Sequence, residues 1–470
     1  MTNTSTRPRT AAKLRPLAVV GLVLVAVNLR PAVTSLGPVL EEVRASLGMS
    51  AAVAGLLTSV PAVCFALVGS LAPMLARRWG TGGVIALGTA ALALGLAVRP
   101  FAGGTGSFIA FTALALAGIA LANVLLPVVV KQRFPDRVGA MTGLYSVALN
   151  LGASTAAAVT VPLTAGAFGG DWRLGLGVWA VVAAAALPAW ILLARDRAAQ
   201  PAPATTSPNP AAAAGRGLAA ATSPGLAATT GSGLAATTAA ATTGPGLAAA
   251  TGSGLAAATG SDLAAAGIVQ DGQGAGAARV ALRLRRQPIA WALAVYFGLQ
   301  STAAYVIMGW LPQIFRDAGL SARTAGLLFA VTALLGVPLS FALSALAGRL
   351  PRQSGVAVLI GLFGLAGYLG LWVDSAAAPW LWVVLLGVGN CSFPLVLTMI
   401  ALRGRDAATV ARLSAFAQSS GYLLSVPGPI VVGVLYEHTG SWRIPLALLA
   451  VLMVPQMVAG VLAGRDRQIG

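Results

Sequence analysis

Long runs of hydrophobic residues follow one another from Leu17 almost to the C-terminus, separated by short stretches of Gly, Pro and charged residues. A helix needs about 20 apolar residues to cross the roughly 30 Å hydrocarbon core of a bilayer. The pattern therefore predicts an all-α membrane protein with twelve transmembrane helices. Their expected ranges are 16–40, 50–76, 81–98, 105–130, 138–165, 173–194, 288–315, 321–348, 354–373, 378–402, 408–436 and 442–463.

A central segment of Ala, Thr, Gly, Ser and Pro interrupts this pattern. Near copies of GLAAATGS begin at Gly217, Gly225, Gly233, Gly246 and Gly254. Such a segment has few large side chains to bury and cannot offset the entropy of ordering itself. We predict a disordered cytoplasmic linker at 198–287, whose role is left open. The remaining domains are then six-helix halves at 16–197 and 288–464, with cytoplasmic tails at 1–15 and 465–470.

The two halves resemble each other in sequence. SAAVAGLLTSV at 50–60 and SARTAGLLFAV at 321–331 open the second and eighth helices. An Asn-x3-Pro pattern recurs in the fourth and tenth helices, and a Trp-Arg pair opens the sixth and twelfth. Both copies start on the same side of the membrane, so they form two six-helix pseudo-repeats. Parallel repeats of this kind place a binding cavity between the halves near the midplane, which favours transport.

Composition and charge agree with a membrane protein. Hydrophobic residues make up 57% of the chain and charged residues 9%, which is too little charge for a soluble surface. The net charge of +18 comes from short basic clusters between apolar runs, so nucleic-acid binding is not expected. Lys and Arg number 23 on the side of the N-terminus and six on the other. The positive-inside rule then places both termini in the cytoplasm of a cell with an inner (cytoplasmic) membrane.

No pattern in the sequence points to catalysis. Cys64 and Cys391 lie inside apolar runs without a CxxC neighbour, and no metal-ligand cluster, phosphate-binding Gly loop or Ser-His-Asp set is present. His438, the one histidine, falls at the end of the eleventh predicted helix, so a proton relay is not indicated. We therefore expect no enzyme activity, no cofactor and no metal. The coupling ion is left open.

Arg30 is the basic residue that belongs to neither side of the membrane, because it lies inside the first predicted helix. It falls about 20 Å from the start of that helix and about 15 Å from its end. A guanidinium facing lipid there would cost at least about 2.5–3.5 kcal/mol. No predicted helix offers an internal carboxylate, so we expect Arg30 in a wet cavity, where a small anion, nitro group or carboxylate answers its charge. The alternative is that backbone carbonyls satisfy it at a helix break caused by Pro31 and Pro38.

Other polar residues could line the same cavity. Thr34 and Gly37 share the helical face of Arg30, and Asn28 and Ser35 lie on a neighbouring one. Each polar residue could instead bridge two helices, which is a common role of Asn and Gln in membranes. The predicted substrate-binding residues are Arg30, Asn28, Thr34, Asn123, Tyr145, Asn150, Gln300, Tyr305, Trp310, Asn390 and Gln418.

Four stretches of the sequence resemble a known family. They are NLRPAVTSLGPVL at 28–40, AGLLTSVPAVCFALVGSLAPMLARRWG at 54–80, WLP at 310–312 and FAQSSGYLLSVPGPIVVG at 416–433. On these residues the chain resembles the major facilitator superfamily of transporters, and within it the cyanate and nitroimidazole permease branch. The resemblance covers nearly all of both six-helix halves. It implies the major facilitator fold and places Arg30 where that branch keeps an arginine in the first helix.

The loop after the second helix departs from the superfamily motif. The motif expects an Asp where this sequence has Pro73, while Arg77, Arg78 and Gly80 remain. The resemblance implies that these three residues act in the conformational change at the cytoplasmic side. The missing Asp leaves open whether the usual charge contact between the halves forms.

Together these observations predict a secondary active or facilitative transporter of a small solute, most simply a small anion or nitro compound, working by rocker-switch alternating access. Its partners would be the small-molecule substrate and the lipid bilayer, and a monomer is compatible with the sequence. One alternative is a drug or metabolite efflux permease for uncharged or cationic compounds. Another is a membrane sensor or enzyme without transport. Substrate identity and the direction of transport are left open.

Overall fold

The computed structural model describes residues 8–195, 287–405 and 407–467. In this part of the chain, twelve helices are long and apolar enough to cross a membrane, which confirms the predicted all-α fold. The predicted linker falls outside the described residues, except for Gln287. In chain order, spans 1 to 12 are Pro16–Leu47, Ala51–Trp79, Thr81–Phe101, Thr105–Arg133, Ala140–Ala167, Trp172–Arg195, Pro288–Asp317, Ala322–Ser340, Ser354–Val373, Pro379–Arg403, Arg412–Thr439 and Arg443–Ala463.

Several spans are built from more than one helix. Span 1 contains the helices Pro8–Asn28, Pro31–Thr34 and Leu40–Leu47 and a 3-10 turn at Gly37–Val39. Span 6 divides into Trp172–Ala184 and Leu187–Arg195, span 10 into Pro379–Gly389 and Ser392–Arg403, and span 11 into Ala407–Ser425 and Pro427–Thr439. Proline lacks the N–H that continues a helix, which explains the breaks before Pro31 and Pro427.

The other spans each contain one long α-helix. These helices are Ala51–Trp79, Thr81–Val98, Thr105–Arg133, Val138–Pro162, Pro288–Asp317, Ala322–Arg349, Ser354–Val373 and Arg443–Ala463. Compared with the predicted ranges, most ends move by three residues or fewer. The two largest differences are in span 1, which continues to Leu47 through its breaks, and in span 8, which ends at Ser340 although its helix continues to Arg349.

Equivalent residues begin equivalent spans in the two sequence repeats. The Ser50 side chain accepts a hydrogen bond from the backbone N–H of Val53 at the start of span 2. Ser321 accepts one from Thr324 in the same way at the start of span 8. A serine that caps a helix in this manner satisfies one of its free N–H groups. The repeated sequence therefore reproduces the same local structure.

Three hydrophobic clusters form the core of the described residues. One draws only on the first set of six spans and the loops between them, and another only on the second set and its loops. The third draws on both sets, with Leu40 and Leu57 from the first and Trp310, Phe315 and Leu328 from the second. The two sets of six spans are thus packed separately over part of their length and joined by a shared cluster.

Small residues let the two sets approach closely at this shared cluster. A side chain at Gly55 in span 2 would overlap the backbone oxygen of Pro429 in span 11, and one at Gly433 would overlap that of Ala51. A β-carbon at Gly326 in span 8 would lie 2.8 Å from a backbone oxygen in span 5. Glycine is favoured at such contacts because it has no side chain to separate the helices.

Polar contacts join the two sets at the same end of the helices. The Arg316 guanidinium in span 7 forms salt bridges of 3.0 Å with Glu41 and 2.9 Å with Glu42 in span 1. The backbone N–H of Ala52 donates to Glu437 across 2.8 Å. We call this set of glycine and polar contacts the closed end. It lies at the ends of the spans that the charge distribution predicts to face outward.

Aromatic residues complete the closed end. The rings of Trp310 and Trp442 lie 5.5 Å apart, and Tyr436 stacks on Trp442 at 4.2 Å. The Tyr436 hydroxyl and the Trp442 indole N–H each donate to Asp317 across 2.7 Å. The Trp310 side chain is fully buried in this cluster. The Arg44 guanidinium of span 1 lies 5.9 Å from the ring centre of Trp310, so Trp310 also packs between the two sets at this end.

Candidate functional site

A cavity of about 250 Å³ lies between the two sets of six spans. Along each helix it comes next to the closed end: span 2 contributes Pro61 and Phe65, which follow the Gly55 contact, and span 11 contributes Tyr422, which precedes the Pro429 contact. The cavity therefore lies deeper in the helices than the closed end. Its polar lining residues are Arg30, Thr34, Asn123, Tyr145, Ser146, Asn150, Ser301, Tyr305, Thr332, Ser340, Asn390 and Tyr422.

The break in span 1 determines where Arg30 lies. Pro31 cannot continue the helix that ends at Asn28, and Arg30 becomes the residue before the next short helix. The Arg30 carbonyl accepts hydrogen bonds of 3.0 Å from the backbone N–H groups of Val33 and Thr34. The Thr34 hydroxyl also donates to this carbonyl across 3.2 Å. These bonds hold the backbone of Arg30 beside the cavity.

The Arg30 side chain is half-buried and lines the cavity. Tyr305 and Tyr422 line the same cavity. Across the residues that the structure describes, no carboxylate lines this cavity, and neither an ion pair nor a hydrogen bond to protein engages the Arg30 guanidinium. A cation in a cavity that also offers hydroxyl groups can bind an anion with hydrogen bonds.

Asn390 lines the cavity from the second set of spans, at the break in span 10. Gln300 in span 7 donates from Nε2 to the Asn390 Oδ1 across 2.7 Å and to its backbone oxygen across 3.1 Å. Gln456 in span 12 donates to the Gln300 Oε1 across 3.4 Å and to Ser392 across 3.3 Å. The bond orients the Asn390 amide, so that Nδ2 can donate to a ligand while Oδ1 keeps one lone pair for a further hydrogen bond.

The cavity brings together seven of the eleven predicted substrate-binding residues. They are Arg30, Thr34, Asn123, Tyr145, Asn150, Tyr305 and Asn390. The structure places Asn28, Gln300, Trp310 and Gln418 outside the lining. Asn28 Nδ2 donates to the backbone oxygens of Leu24 and Val182, across 2.8 and 3.1 Å, and so supports the end of the first helix. Gln418 donates to Ser414 within its own helix across 2.6 Å.

The sequence analysis missed five polar residues of the lining and, near the cavity, Arg99. The five are Ser146, Ser301, Thr332, Ser340 and Tyr422. Tyr422 lines the cavity and follows the predicted residue Gln418 by one helical turn. Because residues four apart share a helical face, the prediction for Gln418 could have been extended to Tyr422. Arg99 counts among the outer basic residues by position, yet its side chain is fully buried and donates to the backbone oxygen of Ala32 in span 1. Its partner is 67 residues away in sequence, so no local pattern could reveal this contact.

The predicted cytoplasmic loop residues lie at the end of span 2. Arg77 and Arg78 are exposed in the last helical turn, and the Arg78 guanidinium lies 6.0 Å from the ring centre of Trp79. Gly80 ends the helix with φ of 76°, a conformation that favours glycine. Pro73 lies inside the helix, where the superfamily motif expects an acidic residue. No group of three or more potential metal ligands occurs in the described ranges.

Comparisons with known proteins identify the family of the chain. A sequence model of the Major Facilitator Superfamily matches residues 22–426 and also 293–468. The uncharacterized transporter YycB of Bacillus subtilis is 32% identical over 458 residues, covering 96% of this chain and 94% of the relative. The 2-nitroimidazole transporter of Escherichia coli is 29% identical and covers 98% of both chains. The cyanate transport protein CynX of Escherichia coli is 25% identical, covering 93% of this chain and 94% of its own.

A solved structure shows the same fold. The bacterial homologue of the human lysosomal transporter Spinster, in an inward-facing and occupied conformation, superposes with a TM-score of 0.65. It covers 98% of this chain and 97% of its own, at 14% sequence identity. At that identity the similarity concerns the fold alone.

Proposed function

This chain belongs to the major facilitator superfamily of membrane transporters, and we propose that its cargo is a small anion or a nitro compound bound at Arg30. The single observation that carries the proposal is the position of Arg30 in the lining of a cavity that Tyr305 and Tyr422 also line. A negative charge or a nitro oxygen would give this guanidinium a hydrogen-bond acceptor, which the described residues do not provide.

A polar residue of the second set of spans supports the same cargo. Asn390 belongs to spans 7 to 12, and its Oδ1 accepts a hydrogen bond from Gln300. Its Nδ2 then adds a hydrogen-bond donor to those of Arg30, Tyr305 and Tyr422. A ligand with several acceptor oxygens or nitrogens would bond to both sets of spans at once. The names of two relatives, a 2-nitroimidazole transporter and a cyanate transport protein, agree with a ligand of this kind.

Rocker-switch alternating access is the proposed mechanism. The closed end joins the two sets of spans through Arg316 with Glu41 and Glu42, and the cavity lies next to it. A ligand between the sets can favour their closure around it, and separation of the closed end would then expose the cavity to the other side. The cargo crosses without chemical conversion in this proposal.

The proposed orientation places both termini in the cytoplasm of the inner membrane. The 23 basic residues on the N-terminal side against six on the other support it. Labelling of intact cells with a membrane-impermeant thiol reagent tests it. Cysteine at Ala377, between spans 9 and 10, should react, and cysteine at Arg352, between spans 8 and 9, should not. The reverse result would invert the proposed orientation.

An uncharged aromatic cargo is the second candidate. Phe65 and Phe393 line the cavity, and Phe65 stacks on Tyr422 with ring centres 5.6 Å apart. Aromatic rings of the protein could stack on a planar neutral compound. This candidate uses the same cavity, so charge on the cargo separates the two.

A matched series of compounds tests the proposal. Benzoate, benzamide and benzylammonium have the same ring and differ in charge, while cyanate and 2-nitroimidazole represent the two named relatives. Flux of each is measured in proteoliposomes that contain the purified full chain. Preference for benzoate and cyanate over benzamide and benzylammonium is expected. Equal or faster flux of benzamide, with indifference to both anions, would reject the anion proposal in favour of the neutral cargo.

A further inference from the structure

Arg99 is a second cation buried beside the helix break of span 1. It opens a 3-10 turn at the end of span 3, and its side chain is 0% exposed. Its guanidinium lies 5.7 Å from the ring centre of Phe108. A charged side chain buried within a membrane protein marks a functional or tightly constrained position, because burying the charge is unfavourable. The contact that Arg99 makes in this interior therefore indicates what it does.

The Arg99 side chain bonds to a carbonyl that the helix break leaves free. Its Nη1 donates to the backbone oxygen of Ala32 across 3.0 Å. In a regular helix this oxygen would accept from the N–H of Leu36, four residues later. Here the Leu36 N–H donates to Val33 instead, across 3.1 Å. Arg99 thus replaces the helical hydrogen bond that Ala32 loses, and it does so from a different span.

This contact lies two residues from Arg30. On one side of the break, Asn28 holds the end of the first helix to Leu24 and to Val182 in span 6. On the other side, Arg99 holds the short helix Pro31–Thr34 to span 3. Arg30 lies between these two anchors. Its backbone direction, and hence the point where its guanidinium enters the cavity, depends on both.

The remaining N–H groups of Arg99 indicate that the hydrogen bond to Ala32 is the reason for an arginine at this position. Its Nε and Nη2 are buried and find no hydrogen-bond partner among the described residues. A buried donor without a partner is unfavourable. An apolar side chain of similar length would avoid that cost, but it could not bond to the Ala32 oxygen.

We propose that Arg99 is a positioning residue for substrate binding, which fixes the short helix after the break in span 1 and so holds Arg30 in the cavity. The inference rests on the proposed function, because it assigns Arg30 to the bound anion. Arg99 itself does not line the cavity and does not touch the ligand.

Transport kinetics with Arg99→Met test the proposal. Benzoate flux is measured in proteoliposomes for the wild-type chain, Arg99→Met and the conservative Arg99→Lys. Arg99→Met should raise the KM about tenfold or more and leave the maximal flux within about twofold, since a displaced Arg30 weakens binding. Arg99→Lys should recover part of the loss, because its ammonium group can still donate to a carbonyl. A lower maximal flux with an unchanged KM would overturn the proposal.

A double-mutant cycle separates positioning from a general structural effect. If Arg99 acts through Arg30, Arg99→Met should raise the KM little further once Arg30→Ala is present. Equal multiplicative effects in both backgrounds would overturn the proposal. Arg403→Met is the matched control, because Arg403 is also buried and donates from Nε to the backbone oxygen of Ala463 across 3.1 Å, remote from the cavity lining. Its effect on the KM should be within about twofold.

Hydrogen exchange gives a result that does not depend on the cargo. The segment 31–37 should exchange several times faster in Arg99→Met than in the wild-type chain and should be unchanged in Arg403→Met. Unchanged exchange in Arg99→Met would overturn the proposal. If the wild-type chain carries no anion but Arg99→Met still exchanges faster, the anchoring role of Arg99 stands and the proposed cargo is rejected. Failure of the Arg99 proposal and failure of the cargo proposal are therefore distinguishable.

Discussion

Gln300 in span 7 donates a hydrogen bond of 2.7 Å to the side-chain oxygen of Asn390 in span 10. The same Gln300 amide also donates to the backbone oxygen of Asn390, across 3.1 Å. Asn390 faces the cavity and Gln300 does not line it. The pair shows how a residue behind the cavity wall can orient a polar group of that wall, since the bond from Gln300 fixes the position of the Asn390 Oδ1.

Gln300→Glu is expected to weaken anion binding. A carboxylate at this position accepts from the Asn390 Nδ2, so the amide turns and presents its oxygen to the cavity. Loss of one donor to a charged ligand costs about 1.5–3 kcal/mol, which is about tenfold or more in Kd. Calorimetric titration of the purified protein with benzoate measures the change. Gln418→Glu, the same substitution outside the lining, is the control, and an unchanged Kd in Gln300→Glu would contradict this role.

Arg316→Gln is expected to open the closed end. It removes the salt bridges to Glu41 and Glu42, which join span 7 to span 1. A loss of about 1 kcal/mol at this partly exposed site corresponds to roughly a fivefold shift toward the state with the closed end separated. Cysteine at Leu57, which is buried in the shared cluster, reports this opening through its rate of labelling by an impermeant thiol reagent.

The labelling test has a matched control. Arg443→Gln changes an exposed arginine near the same end of the helices. Both variants are made with Cys64 and Cys391 replaced by Ser. Labelling at position 57 should accelerate several-fold in Arg316→Gln and remain unchanged in Arg443→Gln. Equal rates in the two variants would mean that the salt bridges do not hold this end closed.

Gly55→Ala is expected to separate spans 2 and 11. The added methyl group would overlap the backbone oxygen of Pro429, so the two helices must move apart. Benzoate flux in proteoliposomes should fall several-fold, because the two sets of spans can no longer pack fully at the closed end. Gly143→Ala is the control, since a β-carbon there meets no atom within 4 Å. Wild-type flux in Gly55→Ala would show that this close approach is dispensable.

The sequence alone predicted the twelve spans because apolar length is a property of each segment by itself. Arg30 could also be singled out, since a charge inside a long apolar run is visible without knowledge of the neighbours. The helical face of Arg30 led correctly to Thr34, which lines the cavity with it. The count of basic residues on the two sides of the membrane, in contrast, could not show that the Arg99 side chain is buried. That contact depends on how span 3 packs against the break in span 1.

Polar residues in the second half were harder to place from sequence. Asn390 and Tyr305 line the cavity, while Gln300 stands behind Asn390 and Trp310 belongs to the closed end. All four are polar or amphipathic residues within apolar runs, and the rotation of each helix about its axis decides which of them reaches the cavity. That rotation is fixed by packing between spans, as at Gly298 against Gly421, rather than by any one span.

Arg30→Ala tests the central claim most directly. Benzoate and cyanate flux is measured in proteoliposomes for the wild-type chain, Arg30→Ala, Arg30→Lys and the control Arg323→Ala, which removes an exposed arginine outside the cavity lining. Loss of the charge should reduce anion flux at least about tenfold, because a charge-assisted hydrogen bond contributes about 1.5–3 kcal/mol. Arg30→Lys should retain part of the flux and Arg323→Ala all of it. Anion flux in Arg30→Ala equal to that of the wild-type chain would contradict the assignment of Arg30 to the cargo.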